Sequence, residues 1–345
     1  MVQSFAFDRA SLIKPGQIRR TAEGAVAFDP GQFILAEAEL ALSLDLSLRQ
    51  FQSGVEPSAI IERLTHALHQ IRRRFHAEVW DDMVLLAQAH PVADFLHQDP
   101  LTRWSFEKPR GYSGDAHLLD FIYGSTGIAE AVDASTYLGR AIYEYTRNAS
   151  SSVAVRERRD ILAQRVDEIA SVRAGPIEVL AVASGHLREA ALSSALGAGA
   201  IERWVALDQD PVSIGTVARD FAGTSVEAVN GSVRSLLGGR HVLKTFDLVY
   251  AAGLYDYLPD TVAVKLTRKC VNMLKPGGSF LFANFSQETD VDGYMETFMN
   301  WPLLLRTEEE MWMIASESIG DTDVNVSVWF GANRNILYCE IEKLT

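Results

Sequence analysis

The chain has 345 residues, 48% apolar and 22% charged, with 32 Lys and Arg against 45 Asp and Glu, a formal net charge of −13. This is a globular composition, too long for one ordinary core, and an acidic chain gains nothing from counterion release on a phosphate backbone, which sets nucleic acid aside as the main partner. No apolar run reaches membrane-span length, the N-terminus MVQSFAFDRASLIKPGQ lacks an apolar signal core, and Cys270 and Cys339 stand in apolar surroundings without metal-ligand spacing, so a cytoplasmic protein with two buried thiols, no metal and no membrane partner is expected.

Residues 1–30 are mixed, with one hairpin predicted over Gln17–Thr21 and Ala25–Phe28. From Pro30 to about Leu101 apolar residues recur at three and four: Phe33, Leu40, Leu44 and Leu48; Ile60, Ile61, Leu64, Leu68, Ile71 and Phe75; Val84, Leu85, Leu86, Val92, Phe95 and Leu96. That is helical spacing, with Pro57 and Pro91 at helix starts. The run Arg72-Arg73-Arg74 reads as a solvated helix face, a phosphate or carboxylate site being the alternative. Trp104–Asp120 is a turn-rich segment opening a helix. A further helix is predicted over roughly Ser151–Ala170, and Gly175-Pro176 breaks the chain.

After Pro176 strands alternate with helices. Strands are predicted at Ile177–Ala183, Arg203–Leu207, Val226–Val229, Phe246–Ala251 and Ser279–Asn284. Helices are predicted at His186–Leu196, Pro211–Phe221 and Asp260–Leu274, with a turn or short helix at Ser232–Leu237. A helical insertion over Gly293–Ile319 precedes two strands, Asn325–Phe330 and Ile336–Ile341, which flank the hairpin turn Gly331-Ala-Asn-Arg334. Alternation of this kind implies a parallel sheet. The expected organisation is a mainly helical region over 1–100, a helical lid segment over 101–175 that contributes to the site, and an α/β domain over 176–345.

In an open α/β sheet, ligands bind outside the carboxyl ends of the strands. The first strand and its loop read VLAVASGHLREA (Val179–Ala190), with one glycine, Gly185. One glycine lets a ligand pass close to the backbone, and free N–H groups follow it. The loop is too glycine-poor for a dinucleotide fingerprint and has no Gly-Lys-Ser/Thr, so a ligand without phosphates fits it better. Asp208, about 20 residues on at the end of the second strand, is placed to accept from both hydroxyls of a ribose. Asn230-Gly231-Ser232 follows the third strand and is positioned for an adenine edge. Two further segments complete the set: FDLVYAAGLYDYLPD (Phe246–Asp260) and LKPGGSFLFANF (Leu274–Phe285).

In order and spacing these five segments resemble class I S-adenosylmethionine-dependent methyltransferases, over about half of the chain from roughly Ile177 to the end. The Lys-Pro-Gly-Gly turn is the most specific element. The resemblance implies a Rossmann-like methyltransferase sheet, mostly parallel with a C-terminal antiparallel hairpin, plus a helical N-terminal region. It implies S-adenosylmethionine as cofactor and a small-molecule substrate. Ser184, Gly185, Glu189, Asp208, Gln209, Gly231, Ser232 and Asp256 are the cofactor contacts it suggests. The chain departs from the family's first motif: Ala181 and Ala183 stand where an acid is expected, and His186-Leu187 where more glycine is. Glu189, Arg188 and the upstream segment are then the places to look for groups that hold the cofactor's amino-acid end. That segment, KPRGYSGDAHLLD (Lys108–Asp120), together with SGHLREA, resembles bacterial proteins described as making 3-hydroxy fatty acid methyl esters, and related enzymes that cyclise S-adenosylmethionine.

Each candidate has a plainer alternative. Asp208 could be a helix N-cap before Pro211, and Ser232 a cap for the next helix. Arg110, Tyr112 and Asp115 are expected as a lid over the cofactor, Arg110 pairing bidentately with its methionine carboxylate and Tyr112 taking a catalytic role; the alternative is a salt bridge that fixes the loop. Asn148 is either a cap or a cofactor contact. His186 is a base or a loop-bonding residue. Tyr255 and Asp256 follow the fourth strand, on the acceptor side, and Tyr255 is a candidate for proton transfer. Trp301, Met311 and Trp312 are either pocket roof or core.

A sulfonium is already an activated alkyl donor, so positioning can supply roughly 7–11 kcal/mol of the barrier. No dedicated base stands out, which favours a carboxylate or amine acceptor, a carboxylate being ionised at about pH 7. Methyl transfer to a small carboxylate such as a hydroxy fatty acid is the leading expectation. Cyclisation of S-adenosylmethionine to azetidine-2-carboxylate and methylthioadenosine is the alternative, and a non-catalytic binding protein the third. The N-terminal helices are compatible with a homodimer.

Overall fold

The computed structural model of the protein describes residues 30–344; the hairpin predicted over 17–28 lies outside them. The described chain divides into two compact units, one made of 30–156 and 288–303, the other of 157–287 and 304–344.

The first unit is helical. Its longer helices are Pro30–Gln52, Pro57–Arg74, Ala77–Ala89, Pro100–Glu107, Ala116–Tyr123 and Tyr137–Arg147, joined by Asp292–Thr297 from late in the chain. Pro57 and Pro100 open their helices, where the missing N–H costs nothing. Asp99 and Asp115 cap theirs by accepting from the first free amides. Ile60, Ile61, Leu64, Leu68 and Ile71 are buried, as their spacing predicts. Pro91 starts no helix directly; the short helix there runs Ala93–Leu96.

Arg72 departs from the solvated face expected of the arginine run. Its guanidinium pairs with Asp292 Oδ2 at 2.8 Å and Glu296 Oε1 at 2.9 Å. Asp292 Oδ1 also meets His69 Nδ1 at 2.7 Å, and Trp80 Nε1 donates to Glu296 Oε2 at 2.6 Å. The two acids stand four apart on one helix, hence on one face. Arg74 pairs with Glu39 nearer the surface.

The second unit is built on seven strands among the described residues: β1 Ile177–Val182, β2 Ile201–Asp208, β3 Val226–Asn230, β4 Phe246–Ala251, β5 Leu274–Phe285, β6 Val324–Phe330 and β7 Ile336–Lys343. Their order is β3-β2-β1-β4-β5-β7-β6. The first five pair in parallel, and β7 pairs antiparallel with both β5 and β6. This is the mostly parallel α/β sheet with a C-terminal antiparallel hairpin that the sequence predicts. The central strands carry continuous apolar runs because helices cover both faces. Pro211–Asp220, Asp260–Val271 and Glu308–Ile319 are the main covering helices.

The strand order reverses between β1 and β4, which sets the crevice at the carboxyl ends of these strands. The Lys-Pro-Gly-Gly segment lies at the opposite end. There Lys275 Nζ holds Glu178 and Asp247, each at 2.8 Å, tying β5 to the starts of β1 and β4.

The predicted insertion over Gly293–Ile319 is two helices in different units, Asp292–Thr297 and Glu308–Ile319. The late aromatics separate accordingly: Trp301 is buried in the helical unit, Met311 is in the core of the sheet unit, and Trp312 is 42% exposed. Cys270 and Cys339 are buried and unbonded, and burial pushes both thiols up. Among the described residues no helix is long and apolar enough to cross a membrane.

Candidate functional site

After β1 the chain turns through Ala183, Gly185 and Leu187, with φ of 56°, 55° and 53°. Glycine takes this left-handed region without strain; alanine and leucine do not. The alternation drives His186, Leu187 and Glu189 inward, where all three are buried. A regular helix cannot pass through such dihedrals, so the helix predicted over His186–Leu196 is replaced by a single 3-10 turn at Ala190–Leu192 and a short helix at Ser194–Gly197.

What fixes the turn is Asp208, at the end of β2. Its Oδ2 accepts from the Gly185 amide at 2.8 Å and its Oδ1 from the Asp210 amide at 2.8 Å. The side chain is 8% exposed. Burial pushes its carboxyl above the usual carboxylate range, against the pull of the Asp210 and Gly185 amides. The helix cap before Pro211 is Asp210, which accepts from Val212 N, so capping is not the task of Asp208. Each carboxylate oxygen keeps a lone pair for a further donor.

Beyond Asp208 lies an open groove of about 340 Å³, lined by Gln209, Asn230, Gly231, Ser232, Ser235, Arg240 and His241. The Gly231 amide donates to the Asp208 carbonyl at 2.8 Å. A Cβ at Gly231 would come within 2.6 Å of His241 Nε2, so a larger residue there would displace the imidazole. Ser232 is the cap of the helix Val233–Leu237, in a reciprocal capping box with Ser235. Ser235 Oγ in turn meets His241 Nε2 at 2.8 Å. Arg240 and His241 give no sequence signal beyond the Gly238-Gly239 turn before them.

The remaining residues of the loop are sealed or engaged by neighbours. Ser184 Oγ is sealed and has no hydrogen-bond partner among the described residues. Glu189 Oε1 accepts from Tyr250 OH at 2.5 Å, and burial raises its carboxyl while the phenol opposes that. Arg188 pairs with Asp220 at 3.0 Å and reaches His186 Nδ1 at 3.4 Å.

Tyr255 and Asp256 follow β4. Tyr255 is fully buried, stacked on Phe282 with ring centroids 4.3 Å apart, and its hydroxyl meets Thr267 Oγ1 at 2.7 Å. Burial pushes its phenol far above the ordinary range. These contacts place it in the core of the sheet unit. Asp256 Oδ1 accepts from Phe285 N at 2.6 Å, and the Asp256 carbonyl accepts from Leu304 N at 2.9 Å. Burial raises its carboxyl to about 6, with Arg158 opposing.

Arg110, Tyr112, Asp115 and Asn148 belong to the helical unit. Asp115 caps Ala116–Tyr123, accepts from Trp104 Nε1 at 3.0 Å and lies 3.8 Å from Arg110 Nε. Tyr112 is half-buried in the bend between them. Asn148 stands just past the helix Tyr137–Arg147, donating to the Glu144 carbonyl at 2.9 Å and accepting from Arg156 at 3.3 Å. Among the described residues no group of three or more His, Cys, Asp or Glu is placed to hold a metal ion.

No family model and no curated protein matches the chain. Solved structures do. A structure described as a possible exported protein from Bordetella parapertussis aligns with 92% of this chain and 100% of its own, at 16% identity and a TM-score of 0.54. The plantazolicin methyltransferase BamL, solved with a desmethyl plantazolicin analogue and S-adenosylhomocysteine, aligns with 66% of this chain and 94% of its own at 9% identity and 0.44. The N-methyltransferase NodS from Bradyrhizobium japonicum aligns with 55% of this chain and 96% of its own at 18% identity and 0.37. At 16% identity the likeness to the first of these is one of fold.

Proposed function

We propose that the chain binds S-adenosylmethionine over the turn at Gly185 and transfers its methyl group to a small acceptor that carries a carboxylate, such as a hydroxy fatty acid. The observation that carries this is the Asp208 carboxylate, locked by the Gly185 and Asp210 amides at the crevice where the strand order reverses. A carboxylate held there suits two adjacent sugar hydroxyls.

The residues fit the group. Asp208 retains acceptor capacity, and the groove beyond it is lined by Gln209, Gly231 and Ser232. The absence of a phosphate-binding glycine run matches a nucleoside without phosphates. When bound, the sulfonium supplies an alkyl group already activated for transfer. The protein's part is positioning, and a carboxylate acceptor needs no proton removed. That suits a site whose nearest phenol after β4, Tyr255, is locked in the core.

The test is an incubation of the purified protein with S-adenosylmethionine, read by mass spectrometry. Adenosylhomocysteine that forms only when carboxylate acceptors are added is the expected result. Methylthioadenosine released without acceptor would overturn methyl transfer in favour of cyclisation. Absence of binding to any adenosyl compound would overturn the site itself.

A further inference from the structure

The described residues of the sheet unit include a buried cation that makes no hydrogen bond to the acids around it. Arg158 lies on the helix Ser150–Val172, in the part that belongs to this unit, and is 5% exposed. Among the described residues no hydrogen bond or close ion pair joins its guanidinium to another group. Its neighbours are engaged elsewhere. Glu189 accepts from Tyr250, and Asp256 accepts from Phe285 N. Both feel the charge of Arg158, which opposes the effect of burial on their carboxyls. Its Nη2 stands 3.6 Å from where a Cβ would sit on Gly253, in the loop after β4.

A guanidinium carries five donors in a rigid fork that matches a carboxylate, and a buried one with no direct partner is costly unless something completes it. It lies near the loops that follow β1 and β4, the two strands that flank the reversal of strand order. The chain has no acid at the end of β1 to hold an amino-acid end from that side: Ala181 and Ala183 stand there.

We infer that Arg158 is the carboxylate-binding residue of this crevice, pairing with the α-carboxylate of the adenosyl amino acid. The inference rests on the function proposed above and assigns that end of the ligand to a helix preceding the sheet. It makes the site selective for adenosyl compounds that keep their amino-acid tail.

The test compares S-adenosylhomocysteine with methylthioadenosine, the same nucleoside without that tail, by titration calorimetry on wild type, Arg158→Met and Arg158→Lys. In wild type the tailed compound binds roughly 10–100-fold more tightly, the factor expected of a charge-assisted pair. Arg158→Met abolishes that preference while methylthioadenosine affinity stays within about twofold. Arg158→Lys falls between, because an ammonium lacks the fork. Equal affinity of wild type for the two compounds overturns the inference and needs no variant to fold. So does an Arg158→Met protein that keeps the preference, or one that loses only acceptor binding. If wild type binds neither compound, the proposed function falls and the inference with it.

Discussion

Replacing Asp208 by alanine separates the two tasks of that carboxylate. In the folded protein it accepts from two backbone amides, Gly185 N and Asp210 N, both at 2.8 Å. A hydrogen bond to a charged group contributes about 1.5–3 kcal/mol net, so losing two costs about 3–6 kcal/mol in gross terms. Relief from burying a carboxylate, visible in its raised pKa, offsets part of this. A net loss of about 1–3 kcal/mol in unfolding free energy is expected. The ligand loses its sugar contacts as well, about 3 kcal/mol, or roughly a hundredfold in Kd for S-adenosylhomocysteine. Urea unfolding gives the first quantity and calorimetric titration the second. The control is Asp210→Ala, which removes a helix cap worth about 1 kcal/mol from the neighbouring residue. It should lower stability and leave affinity within about twofold. If Asp208→Ala keeps its affinity, or if both variants lose it equally, the sugar-binding role of Asp208 is refuted.

Three other outcomes follow from the packing. Tyr255→Phe should cost about 1–2 kcal/mol of stability, since Thr267 Oγ1 loses its buried partner, and leave turnover within about twofold; a collapse of turnover in a stably folded variant would restore a chemical role for the phenol. Asp256 has its carboxyl raised to about 6, so the folded state binds its proton more tightly than the unfolded state. Its contribution to stability is complete below about pH 4 and is lost as pH rises to about 6; Asp256→Asn, which keeps an acceptor for Phe285 N, should flatten the unfolding free energy over that window, and an unchanged slope would count against the assignment. Arg72→Met leaves Asp292 and Glu296 buried without their cation and should destabilise the protein by about 3 kcal/mol, read from denaturant midpoints; a loss below about 0.5 kcal/mol would place that pair among inconsequential surface bridges.

The strands were legible because each is a short apolar run bounded by turn residues, and their alternation with helices implied parallel pairing. Asp208 was legible because the end of the second strand is a fixed place in such a sheet. The turn after β1 was not. Nothing in the letters Ala-Ser-Gly-His-Leu announces that Ala183 and Leu187 will take positive φ, since that depends on an aspartate 23 residues on holding the Gly185 amide. Arg72 was misjudged because its acidic partners arrive 220 or more residues later in the chain, beyond any local pattern. Arg158 left a trace that was there to be found. It falls on the stripe of Val155, Leu162, Val166 and Ile169, all buried, so the spacing placed a charge on an apolar face. The run Arg-Glu-Arg-Arg-Asp around it masks that stripe with charge.

The helical unit is not continuous in the chain, and that has a consequence for how the protein is made. Arg72 waits for Glu296, 224 residues downstream, before its ion pair can close. At roughly 5–20 residues per second on the ribosome, that gap lasts on the order of 10–45 s. During synthesis the nascent helices therefore carry an unanswered cation and an open seam until nearly the whole polypeptide has emerged. Halting translation short of residue 303 should yield a chain that proteases cut between the early helices, whereas release at full length should protect them.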